Sequence, residues 1–99
     1  MSDDSAWTIL PTPKYNRQFK RLAKKHYPME KLYTAIAHIL ANDHQILLTK
    51  YHLHNLTGDK QGILEIHLEP DWLLEYQVKA QVLTLILIET GSHQDLLAK

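Results

Sequence analysis

Two runs of alternating apolar residues, Ile63 to Leu68 and Trp72 to Val78, flank a Glu69-Pro70-Asp71 break, and they constrain the fold more tightly than any other feature of the 99 residues. In the first run Leu64, Ile66 and Leu68 share one face, and Ile63, Glu65 and His67 the other. In the second, Trp72, Leu74, Tyr76 and Val78 oppose Leu73, Glu75 and Gln77. Period-two alternation on both sides of a proline-containing break predicts a β-hairpin with Pro70 in the turn. His67 then lies near the hairpin end, with Asp71 just across the turn. An imidazole and a carboxylate are thereby expected side by side on rigid strands, as acid–base chemistry requires.

The rest of the chain supplies a second layer. Ala6 to Leu10 suits a short first strand. Thr12 offers an N-cap and Pro13 the first helical position. Tyr15, Phe19, Leu22 and His26 recur at helical spacing as one stripe, with Lys14, Arg17, Arg21, Lys24 and Lys25 on the opposite arc. A second helix starts at Pro28, buries Met29, Leu32, Tyr33, Ile36, Ile39 and Leu40, and ends near Asn42. Residues 43–62 carry few regular signals beyond a brief apolar run at Ile46 to Leu48 and the turn glycines Gly58 and Gly62. Three strands follow at 63–68, 71–78 and 82–88, with Lys79-Ala80-Gln81 as the second turn. The third is apolar on both faces, as expected of a central strand. Thr90-Gly91-Ser92 breaks it, and Ser92 caps a last helical turn from His93 to Leu97. The order β-α-α-β-β-β with a short C-terminal helix is a two-layer α+β domain, two N-terminal helices on a mainly antiparallel sheet. Residues 1–99 are expected to form one domain, with 1–6 as a flexible N-terminus.

Composition removes several function classes. There is no cysteine, so neither a disulfide framework nor a thiolate site is available. The N-terminal Met-Ser-Asp-Asp lacks the apolar stretch of a signal peptide, and the longest apolar run, Val82 to Ile88, is far too short to span a bilayer. A soluble cytoplasmic protein with no membrane contact is expected. The net charge of zero hides a division: residues 1–55 hold eight Lys/Arg against four Asp/Glu, residues 56–99 three against seven. Asymmetry of this kind points to a nucleic-acid or protein partner, whereas zero overall charge argues against indiscriminate polyanion binding.

His67-Leu-Glu-Pro-Asp-Trp-Leu-Leu-Glu-Tyr followed by Glu89-Thr-Gly-Ser-His-Gln-Asp-Leu-Leu resembles the signature of YafQ-type toxins in the RelE/ParE superfamily. The helix Lys14-Tyr-Asn-Arg-Gln-Phe-Lys-Arg-Leu-Ala-Lys-Lys-His is similar to that family's basic opening helix, and His54-Asn-Leu-Thr-Gly to its His-x-Leu-x-Gly loop. The four elements occur in the right order from about Pro11 to Leu97. The resemblance implies a RelE-like fold and a ribosome-dependent mRNA endoribonuclease, the toxin of a type II toxin–antitoxin system, with a cognate antitoxin, the ribosome and mRNA as partners. It implies catalytic residues His54, His67, Asp71 and His93, with Trp72 as the adjoining aromatic on RNA. The reaction implied is attack of a ribose 2′-hydroxyl on the neighbouring phosphate, with no metal and no cofactor. It needs a base, an acid and a group that neutralises phosphate charge. The basic helix face, Lys14, Arg17, Arg21 and Lys24, would meet ribosomal RNA. Three positions depart from the pattern. Leu64 stands where many relatives carry arginine, Leu97 where an aromatic commonly stacks on a base, and Leu53 where an acidic residue often precedes the loop histidine.

Each feature also has a plainer reading. His26 continues the apolar stripe of its helix and reads as a packing residue, His38 reads as solvated surface, and His44 and His52 have no evident partner. His52 and His54 form a His-x-His that would suit zinc with His67 or His93, although zinc sites usually show a tighter ligand pattern. Trp72 fits the core stripe of its strand. Six Lys/Arg between Lys14 and Lys25 also suit a solvated helix face. Two other functions remain on the same fold: a non-enzymatic ParE-like inhibitor of a protein target such as DNA gyrase, and a catalytically weakened relative that acts by binding antitoxin. Fold alone does not decide among them.

Overall fold

The computed structural model describes residues 6–97. The flexible N-terminus expected at 1–6 therefore falls almost wholly outside the described residues. The elements are β1 (Thr8–Pro11), α1 (Pro13–Lys24), α2 (Met29–Leu40), α3 (His44–Thr49), β2 (His54–Asn55), β3 (Leu64–Glu69), β4 (Trp72–Lys79), β5 (Thr84–Gly91) and α4 (His93–Leu97). The strands form one sheet in the order β1-β5-β4-β3-β2, antiparallel except for β1 beside β5. The α+β architecture expected from the sequence is present, with α3 and β2 added to it.

Local chemistry sets the helix ends. Thr12 Oγ1 accepts the Tyr15 N–H at 3.0 Å and donates to the Ile88 carbonyl at 2.7 Å, so one hydroxyl caps α1 and ties it to β5. Such a cap contributes about 1 kcal/mol. The other end of α1 corrects the reading of His26. Its φ is +62°, its N–H meets the Ala23 carbonyl and the Tyr27 N–H the Leu22 carbonyl, which is a Schellman closure. His26 is thus the exposed left-handed residue that ends the helix, and Tyr15, Gln18 and Leu22 are its buried stripe. Asn42, at φ +56°, ends α2 in the same way. Along α2 the buried positions are Leu32, Ala35 and Ile39, while Tyr33 is 56% exposed rather than buried. His38 is half-buried, packed on Tyr51 and bonded to Asp43 Oδ2 at 2.9 Å, rather than solvated.

The hairpin forms as expected, with Pro70 and Asp71 between β3 and β4. Residues 72–76 are buried on both faces. Ile66, Leu68, Trp72, Leu74, Tyr76, Leu85 and Leu87 join Tyr15, Leu22, Leu32 and Ile39 in one core beneath the helices. Fully burying a side chain such as Leu74 or Leu85 contributes about 1.5–3 kcal/mol. The third predicted strand starts two residues later and runs three further, through Thr90 and Gly91. It carries a bulge: Tyr76 pairs with Leu87 but Glu75 with Glu89, leaving Ile88 as the extra residue. The bulge reverses the alternation, so that Thr90 faces the helices and Glu89 and Gly91 face the other way. That second face carries the histidines.

Candidate active site

His67 stands at the centre of the second sheet face. Its ring centroid is 5.7 Å from that of His93 and 5.9 Å from those of His54 and His52. β3 places His67, the short β2 places His54, and the link from α3 places His52 in a left-handed conformation at φ +54°. β5 ends at Gly91, whose missing side chain makes room for α4: a Cβ there would lie 2.9 Å from Asp95 Oδ2. Ser92 and Asp95 then close a reciprocal cap, Ser92 Oγ accepting the Asp95 N–H at 3.1 Å and Asp95 Oδ2 accepting the Ser92 N–H at 3.2 Å. His93 is the first residue of the helix so started.

Asp71 does not partner His67 as the hairpin suggested. Its Oδ1 accepts both the His93 backbone N–H at 2.9 Å and a bond from His93 Nδ1 at 2.7 Å. The orphan N–H at the start of α4 draws the carboxylate away from its own hairpin. These bonds hold the Asp71 carboxyl below its usual range. They also fix the His93 tautomer, leaving Nε2 free of that contact. His67 is lowered from its ordinary 6.5 chiefly by desolvation; Glu65 opposes this, and His54, His93 and His52 reinforce it.

His54 is held on both sides. Its Nδ1–H donates to the His52 carbonyl at 3.0 Å, and its Nε2 lies 3.0 Å from Glu65 Oε1. His54 thus has a carbonyl oxygen at one ring nitrogen and a carboxylate at the other. Glu65 in turn sits beside Glu75, which burial pushes above the ordinary carboxylate range against the pull of Lys60. The sequence pointed to His52 only as a zinc candidate beside His54, and did not single out Glu65. The shared alternation of Glu65 with His67, and the His-x-His spacing of His52 with His54, were the available signals. Among the described residues no group of three or more His, Asp or Glu converges closely enough to hold a metal ion.

Trp72, assigned to RNA by the resemblance, is corrected by its burial. It is 0% exposed, its Nε1–H donates to Thr90 Oγ1 at 3.0 Å, and Tyr27 packs edge-on against its ring. Strand parity turns it into the core, and it presents no face to RNA. Thr90 completes the buried network, donating to the Leu73 carbonyl while its N–H reaches Gln18 Oε1. On α1, Arg17, Arg21 and Lys24 are exposed, whereas Lys14 is drawn to Glu89 at 3.2 Å. Arg17 and Arg21 share a cleft with Asp95 of α4. Leu64 packs against the core, and Leu97 is 76% exposed. No helix among the described residues is long and apolar enough to cross a membrane.

Comparison with known proteins bears on the family and the fold. Residues 7–98 match the model of a family described as the bacterial toxin of type II toxin–antitoxin systems, YafQ. The chain is 33% identical over 79 residues to the mRNA interferase toxin YafQ of Escherichia coli (strain K12), covering 80% of this chain and 83% of that one. It superposes on the toxin in the E. coli DinJ–YafQ complex with a TM-score of 0.80 and 26% identity, covering 93% of this chain and 99% of that one. A metal-bound toxin from Helicobacter pylori superposes with a TM-score of 0.79 and 37% identity, covering 91% and 98%. The chain belongs to the YafQ family of toxins from bacterial type II toxin–antitoxin systems.

Proposed function

We propose that this toxin is a ribosome-dependent mRNA endoribonuclease, acting in the cytoplasm and neutralised by a protein antitoxin. The observation that carries the reading is the convergence of three histidines on His67, with His93 oriented by Asp71. His67, kept neutral near pH 7 by desolvation, takes the proton of the ribose 2′-hydroxyl. The 2′-oxygen bonds to phosphorus and the bond to the 5′-oxygen breaks. His93 Nε2 delivers a proton to that leaving oxygen, while Asp71 on Nδ1 supports the cationic ring. The products are a 2′,3′-cyclic phosphate and a 5′-hydroxyl end. His54, whose two ring nitrogens already meet a carbonyl and a carboxylate, helps to position the phosphate rather than to transfer a proton.

The E. coli relative is named an mRNA interferase, and its complex with DinJ gives the form of partner expected here. Zero net charge makes attraction to free RNA weak. Delivery of the message by a translating ribosome supplies what long-range attraction does not, with Arg17, Arg21 and Lys24 meeting ribosomal RNA. Acid and base are both side chains, so the reaction as drawn uses no metal, and 1,10-phenanthroline should leave the rate unchanged. The test is primer extension on a defined mRNA with 70S ribosomes, purified antitoxin-free protein and the His93→Ala variant. Cuts at fixed codon positions that need ribosomes and vanish in the variant are expected. Absence of cleavage by the folded protein would return the chain to the protein-binding alternatives.

A further inference from the structure

The segment Lys50-Tyr51-His52 joins α3 to β2 and is fixed at its centre. Tyr51 is buried, and its carbonyl accepts the His67 N–H at 2.8 Å, so the segment is bonded to β3 at the residue assigned as base. Its two neighbours, Lys50 and His52, are exposed. His52 holds φ +54°, a left-handed conformation that is strained for a residue with a Cβ and free for glycine. Its carbonyl accepts from His54 Nδ1, and its ring centre stands 5.9 Å from that of His67. Folding accounts for the backbone here but not for an imidazole where glycine fits better, and strain of this kind collects where a side chain is used.

Lys50, His52 and His67 line one cavity of about 280 Å³, completed by Leu68, Glu69 and Pro70 at the hairpin end. The one carboxylate in its wall, Glu69, is already met by Lys31 at 2.8 Å. The Lys50 ammonium lies 5.7 Å from the Tyr51 ring centre and forms no ion pair among the described residues, and no described group bonds to the ring nitrogens of His52. A compact positive charge and a ring N–H thus open onto the same cavity as the base. Together they suit a phosphate. We infer that Lys50 and His52 hold the backbone phosphate immediately 5′ of the nucleotide whose 2′-hydroxyl attacks. The inference rests on the nuclease reading, which brings that hydroxyl to His67.

The order of groups along the strand fixes which phosphate this is. The attacking ribose lies at His67, and the leaving 5′-oxygen, which belongs to the next nucleotide, lies at His93. The message therefore runs 5′ to 3′ from His67 toward His93. The cavity of Lys50 and His52 includes His67 but not His93, which puts it at the upstream end, where the attacking nucleotide carries its own 5′-phosphate. The spacing of the His52 and His67 rings is comparable with that of successive phosphates in a single strand. Clamping the upstream phosphate holds the ribose against His67, so Lys50 and His52 are positioning residues and take no proton. An acidic segment of a protein partner would also meet the ammonium, but it would have no use for the base in the same wall.

The experiment is single-turnover cleavage of a defined message on 70S ribosomes. The cut in the unmodified message locates the linkage one nucleotide upstream, and a methylphosphonate placed there removes its charge while leaving the scissile linkage intact. Wild-type protein is expected to cleave the methylphosphonate message about ten- to a hundredfold more slowly. Lys50→Ala and His52→Gly, the latter keeping the left-handed backbone, are expected to slow cleavage of the unmodified message by a similar factor, with 70S sedimentation unchanged. Lys50→Arg, which keeps the charge, is expected to retain most of the rate. On the methylphosphonate message Lys50→Ala is expected to add little, because both changes remove one contact. Effects that multiply in full, or a wild-type rate in either Lys50→Ala or His52→Gly, overturn the inference. Ribosome binding weakened as much as cleavage assigns Lys50 to ribosomal RNA, and antitoxin binding lost with cleavage intact assigns it to the antitoxin; either overturns the inference too. No cleavage of the unmodified message by wild-type protein overturns the nuclease reading itself, and this inference with it.

Discussion

His93 and Asp71 show how far a single residue is legible in a sequence. The resemblance brought His54, His67, Asp71 and His93 together, and the hairpin brought Asp71 close to His67. It did not reveal which way the carboxylate turns, because a turn residue follows the nearest unpaired donor, here the His93 backbone N–H. His67→Ala and His93→Ala should each lower the rate of cleavage on programmed ribosomes by about a hundred- to ten-thousand-fold, with the circular dichroism spectrum unchanged. Asp71→Asn should lower kcat more than it changes ribosome binding, since the aspartate orients a proton donor and touches no RNA in the scheme. The kcat/KM profile gives the sign of the His67 shift. A base must be unprotonated, and a lowered pKa keeps it so to more acidic pH, so the acid limb should lie below pH 6.5. A limb above 6.5 would remove His67 from the role of base.

At the scale of elements, the long helices were legible because periodicity over twelve residues averages out individual exceptions, and the β3–β4 hairpin because alternation repeats on both sides of a turn. The helix α3 was not. Its six residues, His44 to Thr49, make fewer than two turns, and Asp43 makes no side-chain cap bond to announce it. The two-residue β2 exists only because β3 offers it an edge. Helix ends were half legible: Thr12-Pro13 marked a start by chemistry, whereas His26 was read as part of a stripe that had already ended. Since His26 holds a left-handed conformation that glycine adopts freely, His26→Gly should raise stability by about 1 kcal/mol in urea unfolding. Unchanged or lower stability would show that the side chain contributes more than its backbone strain costs. Gly91→Ala acts in the opposite direction. Its Cβ would press on Asp95 at 2.9 Å and displace α4, so cleavage should fall further than the thermal midpoint does, because His93 rides on that helix.

For the molecule as a whole, charge and layering separate binding from stability. Arg17 and Arg21 are exposed on α1, away from its buried stripe, so replacing both by Glu should weaken ribosome association and flatten its salt dependence while leaving the thermal midpoint nearly unchanged. Sedimentation of the variant with 70S ribosomes across a salt series measures this; unaltered binding would make the face a merely solvated one. The acidic excess of the second half of the chain has a definite place, for Glu65, Glu75 and Glu89 pair across three strands, and the first two line the cavity that His93 also lines. The sequence by itself determined the hairpin, the two capped helices and the α+β class, because alternation, helical spacing and capping are local properties that act within a few residues. Only the tertiary structure decided that Asp71 belongs to His93 and that three glutamates share one rung. Those outcomes depend on strand register and on the bulge at Ile88, which are settled by packing between segments far apart in the chain.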